Sequence, residues 1–485
     1  MFRNVALIFS GNVFSAILGL VRNMIVARLL TVEHFGIAST FAISMSIVEM
    51  LTSLGMHQLI IQDSKGDDPR LQSGLQGFHL LRGAFSSTLL FLLAGPIAQF
   101  MGTGDIVWAY QMLAFIPLLN GMVHFDIYRL QRHLNYIPAI LTSTVPALLS
   151  VLLIWPLYMI FKDYRVMLGI ILAQALASII ISHLFAQRRY HLALARDIMT
   201  HALRFGWPLL INGILIFFVF QGEKIIVGRE VGLEALAIFS MGFTLTLLPA
   251  MLLTNSIQSV FLPLLSGNKD NKSEFQRLSM VTLQAHFALG ALFVTGGVLL
   301  GPTLVHYLLG EKYTPLLGLF PWLVVLQAMR LMEGGSAIIA LAAGRTGVSA
   351  VSNLVRISVL PFSWYVAATT SNLHLIIWLA IGAELSGLLV SLFMMRRQTK
   401  ISVSTSAWPF ALVMSLCVMA AVYAWMEENA ASSPMSPLWI IVIIIGLFLV
   451  SVRLMKELWS YVMHQRSPNM SNDPEHNQDR PTTGK

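Results

Sequence analysis

Residues 280–306 read MVTLQAHFALGALFVTGGVLLGPTLVH and contain no Asp, Glu, Lys or Arg. About 20 apolar residues in a helix cross the hydrocarbon core of a bilayer, so this stretch predicts a transmembrane helix. The whole 485-residue chain has the same character, because 56% of its residues are hydrophobic and only 11% are charged. A soluble domain has about 25% charged residues. The sequence therefore predicts an all-α polytopic membrane protein.

Long apolar runs recur along the chain and give about 14 candidate transmembrane helices of the length that a bilayer requires. They lie near residues 5–27, 34–56, 75–101, 106–125, 136–161, 166–186, 205–225, 234–254, 280–306, 316–342, 347–369, 373–395, 407–426 and 438–455. The first run contains Asn12 and Arg22 and is followed by further spans. We therefore interpret it as a membrane helix and not as a cleaved signal peptide.

The distribution of Lys and Arg predicts the orientation. Connections on one side of the predicted membrane hold most of these residues, including Arg188, Arg189, Arg396 and Arg397. Basic loops tend to stay in the cytoplasm, so both termini are expected there. The formal net charge of +8 therefore indicates topology and does not indicate a nucleic-acid partner.

A short internal repeat divides the chain into two halves. The sequence IVAR at Ile25–Arg28 recurs as IVGR at Ile226–Arg229, and each copy falls between the first and second predicted spans of its half. If each half has an even number of spans, both halves enter the membrane in the same direction. We therefore predict two parallel six-helix lobes with a site at their interface, followed by two C-terminal helices.

This organisation predicts five segments. They are an N-terminal lobe (1–187), a cytoplasmic linker (188–204), a C-terminal lobe (205–400), two additional helices (401–460) and a disordered cytoplasmic tail (461–485). The linker is either a basic interfacial helix or a solvated loop. The tail is polar and lacks apolar periodicity, which is typical of disorder.

Four arginines lie inside or at the edges of predicted spans: Arg22, Arg82, Arg330 and Arg356. Arginine is costly in a bilayer, so these side chains are expected to face a polar cavity. A guanidinium matches the geometry of phosphate, and we predict that the four bind an anionic substrate. Alternatives remain open: Arg82 could extend to the cytoplasmic interface, and Arg330 could pair with Glu333 one turn away. Arg22 and Arg356 have no obvious local partner.

A second set of intramembrane charges is predicted to act in coupling or gating. It consists of Glu49, Glu223, Lys224, Glu333 and Glu384. An intramembrane carboxylate can bind a proton or a cation in a transporter, although compensation of the arginines is the alternative role. Because Glu223 occupies the repeat position of Arg22, the two residues are expected to face each other across the lobe interface.

Motifs for catalysis and metal binding are missing from the sequence. There is no G-x-x-x-x-G-K-[ST] phosphate loop and no H-E-x-x-H zinc motif. The single cysteine, Cys417, excludes an intramolecular disulfide and a cysteine-clustered zinc site. We expect no enzymatic activity, no cofactor and no metal site.

Several stretches resemble the polysaccharide transporter branch of the multidrug/oligosaccharidyl-lipid/polysaccharide exporter superfamily. The run GLVRNMIVARLL at Gly19–Leu30, with EHFG at Glu33–Gly36, looks like the family's ARLLTPEDFG segment. EKIIVG at Glu223–Gly228 is similar to its DRFLIG motif, and FLPLLS at Phe261–Ser266 to its LFPALSR element. The resemblance extends in colinear order over roughly residues 1–400.

The resemblance implies two six-helix lobes around a V-shaped cavity and transport by alternating access. The implied substrate is a polyprenyl-diphosphate-linked oligosaccharide, moved across the bacterial inner membrane. Arg22 matches a cavity arginine of the related lipid II flippases, whereas Ala16 stands where those proteins have another arginine. Two other functions remain open: a multidrug/cation antiporter of the same superfamily, and a non-transporting partner of a polysaccharide polymerase or export machinery. Membrane lipids are expected partners in each case.

Overall fold

The computed structural model describes residues 2–52 and 54–401 of the chain. All regular secondary structure in these two ranges is helical. The predicted spans at 407–426 and 438–455 and the predicted tail at 461–485 lie outside the described residues. The predicted all-α polytopic class is confirmed.

The first half of the chain alternates long helices with short ones. In chain order these are α1 (Phe2–Leu29), α2 (Val32–Thr52), α3 (Met56–Gln62), α4 (Pro69–Phe100), α5 (Val107–Leu113), α6 (Phe115–Gly121), α7 (Asp126–Arg132), α8 (Ile137–Leu152), α9 (Ile154–Phe161) and α10 (Arg165–Leu184). Helices α1, α2, α4 and α10 each occupy one predicted span. Two other predicted spans are divided between helices, one between α5 and α6 and one between α8 and α9.

The second half contains longer, less interrupted helices. They are α11 (Arg196–Ile226), α12 (Leu233–Gly267), α13 (Lys272–Leu309), α14 (Leu316–Ala342), α15 (Gly347–Ile357), α16 (Leu360–Thr370) and α17 (Leu373–Thr399). A π-helical turn at Val227–Val231 joins α11 to α12. The predicted span at 347–369 corresponds to α15 and α16 together.

The lengths and hydropathies of these helices suit a membrane. In the described ranges, eight helices are long and apolar enough to cross a bilayer, or ten if two bent pairs each count as one span. One bent pair is α8 with α9, whose axes differ by 41°. Pro156 in α9 lacks the N–H that would bond to Leu152, which explains a break at this point. The protein is a multi-pass membrane protein, and the total of 14 spans stays a prediction.

Large apolar side chains on the outside of the helices support this assignment. Phe85, Leu92 and Phe362 are each more than 60% exposed. A water-soluble monomer rarely exposes extensive apolar surface, whereas a lipid-facing surface requires it. The outer faces of both halves therefore suit contact with acyl chains.

Apolar packing joins the two halves at one end of the molecule, which we call the distal end. It contains the C-termini of α1, α4 and α13. A continuous buried cluster runs there from Val26 and Phe35 of the first half to Phe239 and Phe243 of the second. At Gly36 in α2, an added Cβ would lie 2.1 Å from the backbone oxygen of Leu233. The two halves are therefore in direct backbone contact at the distal end.

The opposite end, which we call the linker end, contains α3, α7 and residues 185–195. After α10 the chain is not helical until Arg196, where α11 begins inside the stretch predicted as linker. The Ala193 N–H donates to the Ser73 carbonyl at 3.1 Å. The backbone of Ala193 also lies against Gly77 of α4, because a Cβ added at Gly77 would be 2.2 Å from the Ala193 oxygen. Ile198 then packs into the apolar cluster of the linker end.

Buried Asp126 fixes the beginning of this connection. Its Oδ2 accepts the backbone N–H groups of Gln187 at 2.7 Å and Arg188 at 3.1 Å, while its Oδ1 lies 2.6 Å from Nε of Arg129. The stretch 188–204 therefore combines an anchored extended segment with the first turns of α11.

Candidate functional site

A cavity of about 110 Å³ lies between the two halves of the chain. We call it the central cavity. Its walls come from α1, α2 and α10 on one side and from α11 and α12 on the other. The lining residues are Arg22, Asn23, Phe35, Ala38, Ser39, Ala42, Ile43, Met167, Ile171, Gln221, Lys224, Ser240 and Thr244.

Arg22 enters the central cavity from α1. Its Nη1 donates to Oε1 of Gln174 at 2.7 Å, and its Nε donates to Oδ1 of Asn23 at 3.3 Å. Both acceptors are neutral amides, so they orient the guanidinium without compensating its charge. Among the described residues Arg22 forms no ion pair.

Lys224 enters the same cavity from α11. Its Nζ lies 4.5 Å from the centre of the Phe243 ring, which gives the ammonium a cation–π contact. No Asp or Glu of the described ranges lines this cavity. The central cavity therefore presents one cation from each half, an arrangement that suits an anion with several charged oxygens.

Four charged residues form a separate buried cluster, which we call the charge cluster: Arg330, Glu333, Arg356 and Glu384. Nε of Arg330 lies 2.6 Å from Oε1 of Glu384, and Nε of Arg356 lies 3.0 Å from Oε2 of the same carboxylate. Arg356 also lies 3.3 Å from Glu333. Each arginine therefore has a carboxylate partner.

This arrangement changes two expectations from the sequence. Arg356, expected to have no local partner, lies between two carboxylates on α14 and α17. Arg330 does not pair with Glu333 one turn away but with Glu384 on α17. Helices α15 and α17 can approach closely because Gly387 on α17 leaves room for the Arg356 side chain. A Cβ added at Gly387 would lie 2.6 Å from Nε of Arg356. The Phe243 ring lies 5.1 Å from the Arg330 guanidinium and also contacts Lys224 of the central cavity.

Two other predicted residues, Glu223 and Arg82, do not line the central cavity. Oε2 of Glu223 is buried and has no hydrogen-bond partner within the described part of the chain, and no ion pair there joins Glu223 to Arg22. The residue that shares the cavity with Arg22 is the next one, Lys224. Arg82 lies near His57, His79 and Tyr128 in the first half, close enough for its charge to act on them. The side chain of Glu49 lies outside the described residues.

Three cations close the distal end, and we call their contacts the distal latch. Nη1 of Arg28 in the first half donates to the Tyr307 carbonyl of the second half at 2.8 Å. Nη1 of Arg229 in the second half donates to the Phe100 carbonyl of the first half at 2.9 Å. Lys312 of the second half donates to the Arg28 carbonyl at 2.7 Å and also to the Leu30 carbonyl. Burial lowers the pKa of Lys312, and the Arg28 charge lowers it further.

The internal repeat of the sequence points to two of the latch residues. Arg28 and Arg229 are the final residues of the IVAR and IVGR copies, and each binds a carbonyl at or near the C-terminus of a helix in the other half. Such carbonyls carry partial negative charge because no helical N–H follows them. The two copies of the repeat therefore form a reciprocal pair of contacts, in which the arginine of each half binds a backbone carbonyl of the other half.

A family profile described as "Polysaccharide biosynthesis protein" matches residues 25–317. The chain belongs to the polysaccharide biosynthesis protein family. The matched range includes the Lys224 wall of the central cavity, both latch arginines and the anchored linker. In the described ranges, this family member has no group of three or more His, Cys, Asp or Glu side chains that could hold a metal ion.

Three curated relatives are similar to this family member over much of their length. The lipopolysaccharide biosynthesis protein WzxC of Escherichia coli (strain K12) is 22% identical over 352 residues, which cover 70% of this chain and 69% of WzxC. The teichuronic acid biosynthesis protein TuaB of Bacillus subtilis (strain 168) is 20% identical, with 68% of each chain covered. The succinoglycan biosynthesis transport protein ExoT of Rhizobium meliloti (strain 1021) is 22% identical, with 61% and 60% covered.

Two solved structures share the fold. The lipid II flippase MurJ in an inward closed conformation superposes with a TM-score of 0.66 at 13% identity, covering 94% of this chain and 100% of MurJ. An inward-facing multidrug resistance MATE family transporter gives a TM-score of 0.63 at 13% identity, covering 80% of this chain and 94% of that transporter. This family member therefore has a transporter fold of the MATE and MurJ type.

Proposed function

We propose that the protein is a flippase that moves a polyprenyl-diphosphate-linked saccharide across the bacterial cytoplasmic membrane, and that it is not an enzyme. The observation that carries the proposal is the pair Arg22 and Lys224, which bring one cation from each half into a cavity that no described carboxylate lines. A diphosphate carries several anionic oxygens, which suits a cavity lined by two cations. Arg22 supplies a planar fork of donors and Lys224 supplies a compact charge.

The charges elsewhere in the chain support this substrate over an organic cation. A carboxylate that faces the cavity would favour a cationic substrate, and the described carboxylates do not line the central cavity. Glu333 and Glu384 each contact arginines in the charge cluster, where their negative charge is compensated. The names of the relatives agree with the proposal: ExoT is named a transport protein and MurJ a lipid II flippase.

Alternating access requires that the two halves separate at one end and then at the other. The distal latch consists of a few hydrogen bonds to backbone carbonyls. Its two arginines, Arg28 and Arg229, are exposed, so their contacts can break without leaving an unpaired buried charge. We take the linker end and both termini as cytoplasmic, as the Lys and Arg distribution predicts. The substrate would then enter from the linker end while the latch is closed.

Coupling is assigned to Glu223. Its buried Oε2 without a hydrogen-bond partner among the described residues is costly when ionised and less costly when protonated. Because Glu223 adjoins Lys224 on α11, a change of its protonation would alter the potential beside the substrate. Glu49, Glu333 and Glu384 remain further gating candidates. The proposed lobe boundaries remain at residues 187, 204 and 400. A polymerase or export complex is a further proposed partner.

The proposal is tested by reconstituting the full-length protein in liposomes with a fluorescent undecaprenyl-diphosphate-linked saccharide. Quenching by an impermeant reductant measures its movement between leaflets. We expect movement with the wild type, a loss of at least tenfold in Arg22→Ala and in Lys224→Ala, and no change in the exposed control Lys269→Ala. A folded wild type that moves no such lipid, or variants as active as the wild type, would overturn the proposal.

The same liposomes distinguish the two alternative functions. Uptake of ethidium driven by a proton gradient, without movement of the lipid, would favour a cation antiporter. Movement of neither compound would favour a non-transporting role in a polysaccharide assembly complex.

A further inference from the structure

A second cavity lies within the first half of the chain, toward the linker end. Its volume is about 710 Å³, and its walls come from α1, α3, α4, α6, α7, α8 and α10. We call it the polar cavity. The volume falls in the range of roughly 300–1,000 Å³ that is usual for ligand sites. The positively charged central cavity is much smaller, so the two differ in what they can hold.

The side chains of the polar cavity are neutral. Its polar lining includes Asn12, His57, His79, Asn120, Tyr128 and Gln131. No Asp, Glu, Lys or Arg of the described ranges lines it. Amide, imidazole, phenol and hydroxyl groups both donate and accept hydrogen bonds, as do the hydroxyl groups of a sugar. The charge of Arg82 acts on His57, His79 and Tyr128 from outside this lining, so the wall itself offers neutral hydrogen-bonding groups.

Several of these groups are held in position by other groups of the protein. Nε2 of His79 lies 3.1 Å from the Asn120 carbonyl. Oγ of Ser15, another lining residue, lies 2.9 Å from Oγ1 of Thr144. The rings of His57 and Tyr128 lie 5.5 Å apart at 34°, which gives the wall an aromatic surface. The C–H face of a pyranose can pack against such a surface while its hydroxyl groups reach the surrounding polar side chains.

One side-chain pair connects the polar cavity to the central cavity. Gln174 lines the polar cavity, and its Oε1 accepts the 2.7 Å hydrogen bond from Arg22, which lines the central cavity. A ligand with an anionic part and a hydroxyl-rich part can therefore occupy both cavities across this pair.

We propose that the polar cavity binds the saccharide part of the substrate while Arg22 and Lys224 bind its diphosphate. This inference rests on the proposed function and deepens it. A substrate of this kind is bound in two sections, and the sugar section is recognised by neutral groups of the first half alone. The polar cavity therefore determines which saccharide is accepted, whereas the central cavity accepts any lipid diphosphate.

Cysteine protection tests this division. The full-length protein carries Cys417→Ala, so that its only thiol is either Ser178→Cys in the polar cavity or Ala42→Cys in the central cavity. The rate of alkylation by a small maleimide is measured alone, with undecaprenyl diphosphate, and with undecaprenyl-diphosphate-linked N-acetylglucosamine. Ala42→Cys is the matched control because it reports the diphosphate site in the same fold.

We expect the sugar-bearing lipid to slow alkylation of Ser178→Cys by at least fivefold and undecaprenyl diphosphate to leave it unchanged. Both lipids should slow alkylation of Ala42→Cys. One outcome would overturn the saccharide assignment and leave the flippase proposal standing. In that outcome both lipids protect Ala42→Cys, while Ser178→Cys is protected by neither lipid or equally by both. Protection of neither cysteine by either lipid would overturn both.

A second measurement uses a conservative variant. Tyr128→Phe removes one hydroxyl group from the polar cavity and retains the ring. We expect it to weaken binding of the sugar-bearing lipid about threefold to tenfold, the effect of one lost hydrogen bond, without changing the affinity for undecaprenyl diphosphate. The control Tyr365→Phe, at an exposed position on α16, should change neither affinity. Equal weakening of both lipids by Tyr128→Phe would contradict the assignment.

Discussion

Arg22 and Arg356 are both intramembrane arginines, but their surroundings give them different tasks. Arg22 contacts two neutral amides, so its charge is available to a ligand. Arg356 lies between Glu333 and Glu384, and a phosphate could contact it only in competition with two carboxylates. We therefore expect Arg22 to act on the substrate and Arg356 to act on the relative positions of α14, α15 and α17.

A substitution in the charge cluster tests this structural role. Glu384→Gln removes the carboxylate shared by Arg330 and Arg356 and leaves two buried arginines with less compensation. Breaking a buried ion pair costs about 3–5 kcal/mol, so a clearly lower thermal unfolding temperature of the purified protein is expected. The control Asp197→Asn removes a pair with Arg70 in which both side chains are more than 60% exposed, and its unfolding temperature should not change. Unaltered stability of Glu384→Gln would contradict the structural role.

The sequence identified the intramembrane charges but could not identify their partners. Arg330 and Glu333 were visible as neighbours one turn apart on α14. Their actual partners, Glu384 and Arg356, come from α17 and α15, and which helices pack together is not encoded by local spacing. The sequence also could not show which of Glu223 and Lys224 faces the cavity. The repeat aligns Glu223 with Arg22, but the rotation of α11 places Lys224 in the cavity wall.

At the scale of whole elements, hydropathy located the helices but not their breaks. The predicted spans at 106–125 and 136–161 are each divided between two helices. Hydropathy measures apolar content, which continues through a break, whereas a break is caused by a missing backbone hydrogen bond such as that at Pro156. The anchoring of residues 187–195 was hidden for a different reason, because Asp126 binds backbone N–H groups that no side-chain pattern reveals.

The contact between α2 and α12 can be tested with one methyl group. Gly36→Ala places a Cβ where the Leu233 backbone oxygen lies, and neither backbone can move far within the buried distal cluster. We expect the halves to separate at the distal end and substrate movement to fall. Distances between spin labels on the two halves measure the separation. Gly95→Ala is the control, since nothing lies within 4 Å of its added Cβ. Unchanged distances in Gly36→Ala would contradict the prediction.

The connection between α3 and α4 is expected to respond to acid. The Lys65 backbone N–H and His201 hold the pKa of Asp63 below its ordinary value of 3.8, and the hydrogen bond from His133 similarly lowers the pKa of Asp67. A pKa that is lower in the folded state stabilises the fold at neutral pH, and this contribution is lost as the pH falls through the folded-state pKa. Hydrogen exchange of residues 63–68 should therefore accelerate below about pH 4, relative to the intrinsic rate.

The carboxylates responsible for this response can be removed. The double variant Asp63→Asn with Asp67→Asn should show faster exchange at neutral pH and little further change in acid. Asp105→Asn, at an exposed site of the distal end, should retain the wild-type profile. A wild-type profile in the double variant would mean that other groups control this connection.

At the scale of the whole molecule, the distal latch is expected to set the balance between conformations. Arg28→Ala and Arg229→Ala each remove one contact between the halves, and the two contacts lie on different helix pairs, so their effects should add. One hydrogen bond contributes about 0.5–1.5 kcal/mol, so each substitution should raise the population open at the distal end by about twofold to tenfold. Alkylation of Ala42→Cys by an impermeant reagent applied outside the cell measures that population.

The matched control for the latch is Arg345→Ala, an exposed arginine at the linker end of α14 and α15. It should leave alkylation unchanged. Equal labelling of the wild type, both single variants and the double variant would show that the latch does not control opening. The repeat in the sequence places each arginine between the first and second predicted spans of its half, while only the folded chain reveals that each contacts the opposite half.

The acceptors of the latch have an evolutionary consequence, because they are main-chain oxygens. Any amino acid at position 307 supplies the same oxygen, so drift at this site does not require a compensating change at Arg28. Methods that infer contacts from correlated substitutions among relatives will therefore miss the contact between Arg28 and residue 307. Position 100 is more constrained, because the Arg229 guanidinium also lies 5.3 Å from the centre of the Phe100 ring. Relatives can diverge widely around the latch and still share it, provided that the two arginines and the ends of the two helices are retained.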